Sequence, residues 1–308
     1  MFDLIIIGGG PAGAAAGVYA SRKKIKTLLI AESFGGQSAA SADIQNWIGL
    51  KSISGIDFAK NLEEHVKEYA GSVLEIRKGE KVLNIEKSAD IFLIKTNKNN
   101  YKTKTVLITS GSKRKKLDAL GAEKFENKGI TYCATCDGLL FAGMDVVVIG
   151  GGNAGFETAA QLIAYAKSVT TIYDEEKPRA DKIIADKILS NKKVKNISRS
   201  KVVEVKGSKF VESLVCKNIK NGKEKEIKTR GIFVEIGSEP NTDFAKDIIE
   251  LDEHKQIVVN PKNQRTSVEG IWSAGDCANG LYHQNNIAAG DAVKALEDIY
   301  LWLAKRQN

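Results

Sequence analysis

Hydrophobic positions follow two rhythms along this chain. Asp3 to Ile7 is a nearly unbroken apolar run, which predicts a strand. It meets Gly8-Gly9-Gly10-Pro11-Ala12-Gly13 and then an alanine-rich stretch through Ala20, which predicts a helix. Lys26 to Ile30 predicts a second strand, closed by Glu32. Ile53 to Tyr69 has the spacing of an amphipathic helix. From Val73 to Lys98 the pattern alternates, as in a small antiparallel insertion, and Val106 to Gly111 is another buried strand ending in glycine. The opening order then recurs. Val146 to Ile149 is a strand, Gly150 to Gly155 a glycine turn, Phe156 to Ala166 a helix and Ser168 to Ile172 a strand running into Tyr173-Asp174-Glu175-Glu176. Val194 to Phe233 alternates again, with polar turns such as Lys220-Asn221-Gly222. Ile232 to Gly237 is a strand, Glu239-Pro240-Asn241 a turn, and Gly270 to Asp276 a short strand ending in an acid. A closing helix, about Ile287 to Lys305, sets Val293, Leu296, Tyr300 and Leu303 on one apolar face.

The recurring unit is the βαβ dinucleotide fingerprint. In its first copy Gly8 makes the tight turn, Gly10 admits a pyrophosphate to the backbone, and Gly13 lets helix and strand pack closely. The helix start offers free N–H groups to phosphate. Glu32 lies about 20 residues beyond, where a carboxylate accepts from ribose hydroxyls. The second copy is Gly150-Gly151-Gly152-Asn153-Ala154-Gly155. Two copies imply two nucleotide sites.

Just before the second copy stands Cys133-Ala134-Thr135-Cys136-Asp137-Gly138. Half a zinc site is one reading of such a pair, but zinc needs a second ligand pair. Cys216 and Cys277 are isolated, and His65, His254 and His283 form no pair. A redox-active disulfide is the stronger reading, with no metal. Two nucleotide sites and a dithiol place a flavin, a nicotinamide and a disulfide in series.

With 308 residues, two domains are expected. A hydrophobic share of 43% and a charged share of 27% describe a soluble globular chain with no apolar run long enough for a bilayer. MFDLIIIGGG lacks the basic start of a signal peptide, so a reducing cytoplasm is the expected location, and there a Cys-x-x-Cys is catalytic more often than structural. The net charge of +8 comes largely from lysine. Lys113-Arg114-Lys115-Lys116 and Lys192-Lys193 have no aromatic platform beside them, which reads as a solvated surface and argues against nucleic acid. Steering of an acidic protein substrate is a secondary possibility.

Together these stretches resemble the low-molecular-weight thioredoxin reductase family. By motif the nearest likeness is the reductase core of the flavoprotein component of alkyl hydroperoxide reductase. The stretches are IIIGGGPAGAAA, FGGQ with IQNWIG, KGITYCATCDGLLFAG, VVVIGGGNAGFETA, GIFVEIGSEPNT and GIWSAGDC. The peroxide-reductase flavoprotein carries a further N-terminal redox domain, which is expected to be absent here. The resemblance implies an α/β protein of two Rossmann-like dinucleotide-binding domains (three-layer ββα), one inserted in the other. Residues 1–112 and 239–308 would form a discontinuous FAD domain, and 113–238 an NAD(P)H domain carrying the dithiol.

By the same resemblance, Gly8, Gly10, Pro11, Ala12, Gly13 and Glu32 hold the FAD pyrophosphate and ribose. Gly36, Gln37 and Asn46 line the flavin, Asp276 meets its ribityl-phosphate part, and Gly111 and Gly275 lie beside it. Gln284 contacts the isoalloxazine edge, and Asn285 departs from the family's aliphatic residue. Gly150, Gly152, Asn153, Ala154, Gly155, Glu157, Tyr173, Asp174 and Arg179 follow the nicotinamide cofactor. Cys136 is implied as the flavin-side thiol and Cys133 as the interchange thiol. Asp137 is the candidate proton donor, or alternatively an N-cap for the helix after it.

Thioredoxin reductases carry a His-Arg-Arg cluster after the second strand of the nicotinamide domain, which grips the 2′-phosphate of NADPH. Here Tyr173-Asp174-Glu175 stands in its place, so NADH is expected over NADPH, with Arg179 leaving room for some NADPH use. The implied enzyme is a homodimeric NAD(P)H-dependent flavoprotein disulfide reductase serving a thioredoxin-like or glutaredoxin-like protein. The alternatives are the NADH-dependent reductase component of a peroxide-reducing system, or an NADH oxidase. A redox-sensing regulator is the non-enzymatic alternative. Cys216 and Cys277 read as packed thiols.

Overall fold

In the computed structural model, which describes residues 1–41 and 43–306, the opening apolar run becomes β1, Phe2–Gly9, followed by α1, Pro11–Arg22, and β2, Thr27–Phe34. The last two residues of the expected 239–308 segment lie outside the described residues. A short 3₁₀ turn, Gly36–Ala40, leads on to α2, Gly55–Ala70, whose Ser54 hydroxyl caps the helix by accepting from the Asp57 amide at 3.1 Å. Then come β3, Leu74–Lys78, β4, Val82–Ser88, β5, Ile91–Thr96, and β6, Asn100–Ile108. Strands run β3-β2-β1-β6-β5-β4 across the sheet. β1, β2, β3 and β6 are parallel neighbours, and β4-β5-β6 are antiparallel. The expected antiparallel stretch from Val73 is therefore only partly so. The α2 crossover returns the chain in its original direction, which makes β3 a parallel strand.

After β7, Ser112–Arg114, the chain builds β8, Ile130–Thr131, α3, Ala134–Asp137, and β9, Asp145–Ile149. α4, Asn153–Ile163, β10, Ser168–Ile172, α5, Lys182–Leu189, and β11, Val194–Ile197, follow. These strands form a parallel sheet in the order β11-β10-β9-β15-β8, with β15 being Gly231–Val234. A separate antiparallel sheet holds β12, Ser200–Gly207, β13, Val211–Asn218, and β14, Glu224–Lys228. The alternating stretch from Val194 thus divides between two sheets. Its first strand, β11, pairs with β10 as the end of a second βαβ crossover.

β16, Ser238–Pro240, β17, Ile271–Ser273, and α6, Asn285–Lys305, complete the chain, and β17 joins the first sheet beside β6.

Contacts divide the chain into two units. The first holds Met1–Ala40, Trp47–Lys113 and the segment from Glu239, and the second holds Ser41–Asn46 and Arg114–Ser238. The boundary falls after Lys113, one residue beyond the expected one. The described residues of the Ser41–Asn46 segment group with the second unit, and Asn46 with them.

The parallel strands are buried on both faces, which is why they read as unbroken apolar runs. Leu4 and Ile6 pack on one side with α1 and α6, while Ile5 and Ile7 pack on the other with Phe92 and Ile94. Val147 and Ile149 divide from Val146 and Val148 in the same way. α1 supplies Ala12, Ala16 and Ala20, small enough for α6 to lie close against it. The α6 face is Ala292, Ala295, Leu296, Ile299 and Leu303. Tyr300, expected on that face, is 42% exposed, with the Lys23 ammonium 4.5 Å from its ring centre. The helical stripe is centred on Ala292, Ala295 and Ile299, which turns position 300 outward.

Candidate active site

In the first unit, β1 ends in a turn that only glycine fills. Gly8 has φ +118, and a Cβ there would meet the Thr109 carbonyl. A Cβ on Gly13 would meet the Gly8 carbonyl, so α1 rests directly on the strand end. Thr109 donates its hydroxyl to the Ile7 carbonyl at 3.0 Å and holds the turn from below. α1 begins at Pro11 with Gly10 as its cap residue, no side-chain cap and no acidic group in its first turn. Its first amides are open to an anion.

Gly36 faces Gly10 across this opening, and a Cβ on Gly36 would stand 3.5 Å from the Gly10 Cα. A slot without side chains is what a pyrophosphate needs beside the backbone. Around it, Gln37 donates to Asp276 at 3.2 Å and to Ser112 at 3.0 Å. Ser38 donates to Asn285 at 2.8 Å. Gly275, φ +80, lies against Ala12 and Ala288, and Gln284 is the extended cap residue of α6. A Cβ on Gly111, φ +65, would meet no atom within 4 Å. The structure thus brings Gly10, Gly36, Gln37, Gly275 and Asp276 together. β2 continues past Glu32 to Phe34, because Gly9 still pairs with Phe34 through a register shift, so Glu32 sits inside the strand. Its exposed carboxylate lies 3.8 Å from the Lys81 ammonium. Asn285, a departure with no account in the sequence, proves to tie the Gly36–Ala40 turn to the start of α6.

The second unit repeats the backbone solution. Gly150 has φ +140, a Cβ there would meet the Glu235 carbonyl, and one on Gly155 would meet the Gly150 carbonyl. α4 starts at Asn153 with Gly152 as an uncapped cap residue, and a Cβ on Gly152 would meet no atom within 4 Å. Asn153 turns its side chain away from the helix and accepts from the Asp181 amide at 2.8 Å. Ala154 and Glu157 are exposed on the first turns of α4.

Beyond β10 the acids Asp174, Glu175 and Glu176 face three cations. Arg179 Nε pairs with Glu175 Oε1 at 2.5 Å, Arg199 Nη2 with Glu176 Oε1 at 2.5 Å, and Lys201 Nζ lies 3.9 Å from Asp174 Oδ2. Glu175 Oε2 is buried without a hydrogen-bond partner among the described residues, 3.1 Å from where a Cβ on Gly151 would sit. Tyr173, placed among the nucleotide residues by sequence, is 3% exposed. Its ring packs near Phe156, and its hydroxyl accepts from Asn196 at 3.0 Å. It backs Gly151 from the core, because β10 is buried to its last residue and position 173 continues the inward alternation.

The dithiol follows β8 in this unit. Cys133 and Cys136 form a disulfide with Cα atoms 5.3 Å apart. Cys133 is extended, φ −147, and its sulfur caps α3 by accepting from the Cys136 amide at 3.1 Å. Cys133 is thus the cap of α3, while Asp137, the last residue of that short helix, is the N-cap residue of the 3₁₀ turn Gly138–Phe141 that follows, with no cap hydrogen bond from its side chain. The Asp137 carboxyl is turned inward. Oδ2 accepts from the Thr131 hydroxyl, and Oδ1 is buried with no partner among the described residues. Burial raises its pKa above the usual carboxylate range, and the neighbouring Asp43 charge adds to this against the Thr131 hydrogen bond and Arg114. Leu139 and Leu140, just past the dithiol, are 53% and 46% exposed. Cys216 and Cys277 are buried and unpaired, and burial raises both thiol pKa values. Among the described residues no group of histidine, cysteine and acid is placed to hold a metal ion, and no helix is long and apolar enough to cross a membrane.

One functional candidate is not singled out by the sequence, although it lies within the stretch GIFVEIGSEPNT. Glu235 is the first residue past β15, with its side chain only 10% exposed. Thr158 of α4 donates to Oε1 at 2.9 Å, and Arg114 reaches Oε2 at 3.4 Å. Burial pushes its pKa upward against the pull of Arg114 and Thr158. The available signal is an acid at the carboxyl end of an apolar strand, but such a position reads as ordinary until the strand order is known.

Comparison with known proteins agrees with this geometry. The chain is 37% identical over 295 residues to a protein named NADH dehydrogenase from Bacillus subtilis, covering 96% of this chain and 57% of that one. It is equally 37% identical over 295 residues to a component of alkyl hydroperoxide reductase from Xanthomonas campestris, covering 96% and 56%. It thus spans little more than half the length of these two relatives. The crystal structure of thioredoxin reductase from Streptococcus pyogenes matches with TM-score 0.91 and 33% identity over 99% of both chains. The pattern of one family runs from residue 2 to residue 292, through both glycine turns and the disulfide, and the chain belongs to that family, the pyridine nucleotide-disulphide oxidoreductases.

Proposed function

We propose that the chain is a flavoprotein disulfide reductase of the thioredoxin reductase type, taking electrons from NADH and delivering them to a thioredoxin-like or glutaredoxin-like protein. One observation carries this reading. The Cys133–Cys136 disulfide stands in the same unit as a nucleotide-ready glycine turn, with a buried carboxyl one residue past Cys136. The family implies FAD and a pyridine nucleotide. The first unit fits FAD through the slot between Gly10 and Gly36 and the open start of α1, with Gln37, Asp276 and Gln284 beside it. When bound, FAD carries the electron pair between the nicotinamide and the disulfide.

The residues of the chain do the rest. Two electrons and two protons convert the disulfide to a dithiol. The Cys136 amide, 3.1 Å from the Cys133 sulfur, is placed to stabilise a Cys133 thiolate, the nucleophile in exchange. That thiolate attacks the partner's disulfide, Cys136 then closes on Cys133, and the partner leaves as a dithiol. Asp137 holds its proton more tightly than an ordinary carboxyl and gives it to the departing thiolate. Leu139 and Leu140 give a protein partner apolar surface beside the sulfurs.

NADH preference rests on the acids after β10. Arg179, the cation that could hold a 2′-phosphate, is already paired with Glu175. The unpartnered Glu175 Oε2 suits a free ribose hydroxyl, which donates, and repels a phosphate. The same acids, with the likeness to a peroxide-reductase component, support a second reading, the NADH-dependent reductase of a peroxide-reducing system. The enzyme is read as a cytoplasmic homodimer.

The test is anaerobic stopped-flow bleaching of the flavin by NADH and NADPH separately, followed by transfer to a thioredoxin-like protein. Fast bleaching by NADH and disulfide reduction without oxygen are expected. Bleaching by NADPH alone would overturn the cofactor reading. Rapid oxygen consumption with no redoxin present would favour an oxidase.

A further inference from the structure

The strand order of the second unit gives the bound dinucleotide a direction. β9 is central, its crossover through α4 leads to β10 on one side, and β15 lies on the other. The crevice of such a sheet opens at the carboxyl ends of β9 and β15, where the winding reverses. The pyrophosphate belongs at the Gly150–Gly155 turn, and the adenosine ribose at the acids beyond β10. The nicotinamide half must then run the other way, over the end of β15. The first residue there is Glu235.

Glu235 is built into this place. Its amide donates to the Ile149 carbonyl at 2.8 Å, and its own carbonyl closes on Gly150, where a Cβ would meet it. Its carboxylate is fixed from two sides, by Thr158 on α4 and by Arg114. Two donors use half of a carboxylate's roughly four acceptor positions. The remainder are not filled by any hydrogen bond among the described residues, and the side chain keeps a narrow exposure of 10%. The groups that the nicotinamide half presents, ribose hydroxyls and the carboxamide N–H, are donors.

Resting on the proposed function of this unit, we infer that Glu235 is the anchor for the nicotinamide half of the pyridine nucleotide, a counterpart to Glu175 at the adenosine end. The inference assigns a binding role to a buried acid with no part in the dithiol chemistry. It also explains why Thr158 and Arg114 converge on it, since they hold the carboxylate in one orientation before the nucleotide arrives.

The test compares two ligands on the flavin-loaded, oxidised protein by titration calorimetry. NAD⁺ carries the nicotinamide half, and ADP lacks both the nicotinamide ring and its ribose. Glu235→Gln keeps the shape and a Thr158 partner but removes the charge. A hydrogen bond to a charged acceptor is worth more than one to a neutral amide, so NAD⁺ binding should weaken about tenfold. ADP should stay within about twofold, because it carries none of the donors of the nicotinamide half. Thr158→Val, which frees Oε1 without removing the acid, should give a smaller loss of the same selectivity. Equal weakening of both ligands would mean a structural role, and no weakening of either would mean no contact; both overturn the inference. Wild-type protein that binds neither ligand would overturn the nucleotide reading of the unit itself, an outcome distinct from failure at Glu235 alone.

Discussion

The two glycine turns share a backbone and differ in their surroundings. In both, a glycine of positive φ ends the strand, and a second glycine five residues on lets the helix press onto it. Both helices start uncapped. Around the end of the next strand they diverge. The first turn has one exposed acid, Glu32, loosely opposed by Lys81 at 3.8 Å. The second has three acids that engage Arg179, Arg199 and Lys201, with one carboxylate oxygen left over. In the function proposed above, the shared backbone serves what all dinucleotides have in common, a pyrophosphate, and the differing acids would select between them; only the second unit adds a dithiol.

The sharpest way to break the comparison is to spoil one turn at a time. Gly13→Val and Gly155→Val each drive a side chain into a backbone carbonyl, at a cost on the order of 3 kcal/mol of local stability. The first should yield protein without flavin. The second should keep its flavin and lose bleaching by NADH. Flavin absorbance per protein and stopped-flow traces read both, and loss of flavin from both variants alike would deny that the turns serve separate ligands. Next in size, Asp137→Asn should slow reduction of the protein disulfide roughly 100-fold while NADH still bleaches the flavin. A variant that reduces its partner at the wild-type rate removes Asp137 from the chemistry. A smaller effect is expected from Asp174→Arg with Glu175→Arg, which frees Arg179 and should move the NADPH-to-NADH ratio of kcat/KM at least tenfold. An unchanged ratio would mean that the acids do not face the ribose.

The glycine turns are legible in sequence because their geometry is local, with each glycine's role set by neighbours within a few residues. The dithiol is legible for the same reason. What the sequence hides is set by packing across the chain. The Thr131 hydrogen bond that orients Asp137 depends on how β8 enters the short helix. The role of Asn285 comes from Ser38, 247 positions away. Glu235 gains meaning only when β15 is placed beside β9. Tyr300 shows the opposite error, since its place in an apolar stripe suggests the core while its ring lies exposed on the outer side of the helix.

The smallest expected effect concerns stability, and its sign follows from burial. Asp137 binds its proton more tightly in the folded protein than in the unfolded chain, whose aspartates titrate near 3.9. The folded state therefore holds more protons across the interval between the two values, and stability falls as pH rises through it. Above the raised folded pKa the full penalty of an ionised, half-partnered carboxylate is present; below the unfolded value it is gone. Asn at this position removes the charge and still accepts from Thr131. Asp137→Asn should thus melt above wild type at neutral pH, with the gap closing toward pH 4. Glu235, whose pKa is raised by the same cause, is left in place in both proteins and cancels from the difference. Thermal melts of the oxidised, flavin-loaded proteins across that range measure the gap directly. A gap that stays constant with pH would mean that the inward carboxyl is solvated after all, and the acid role proposed for it would lose its physical basis.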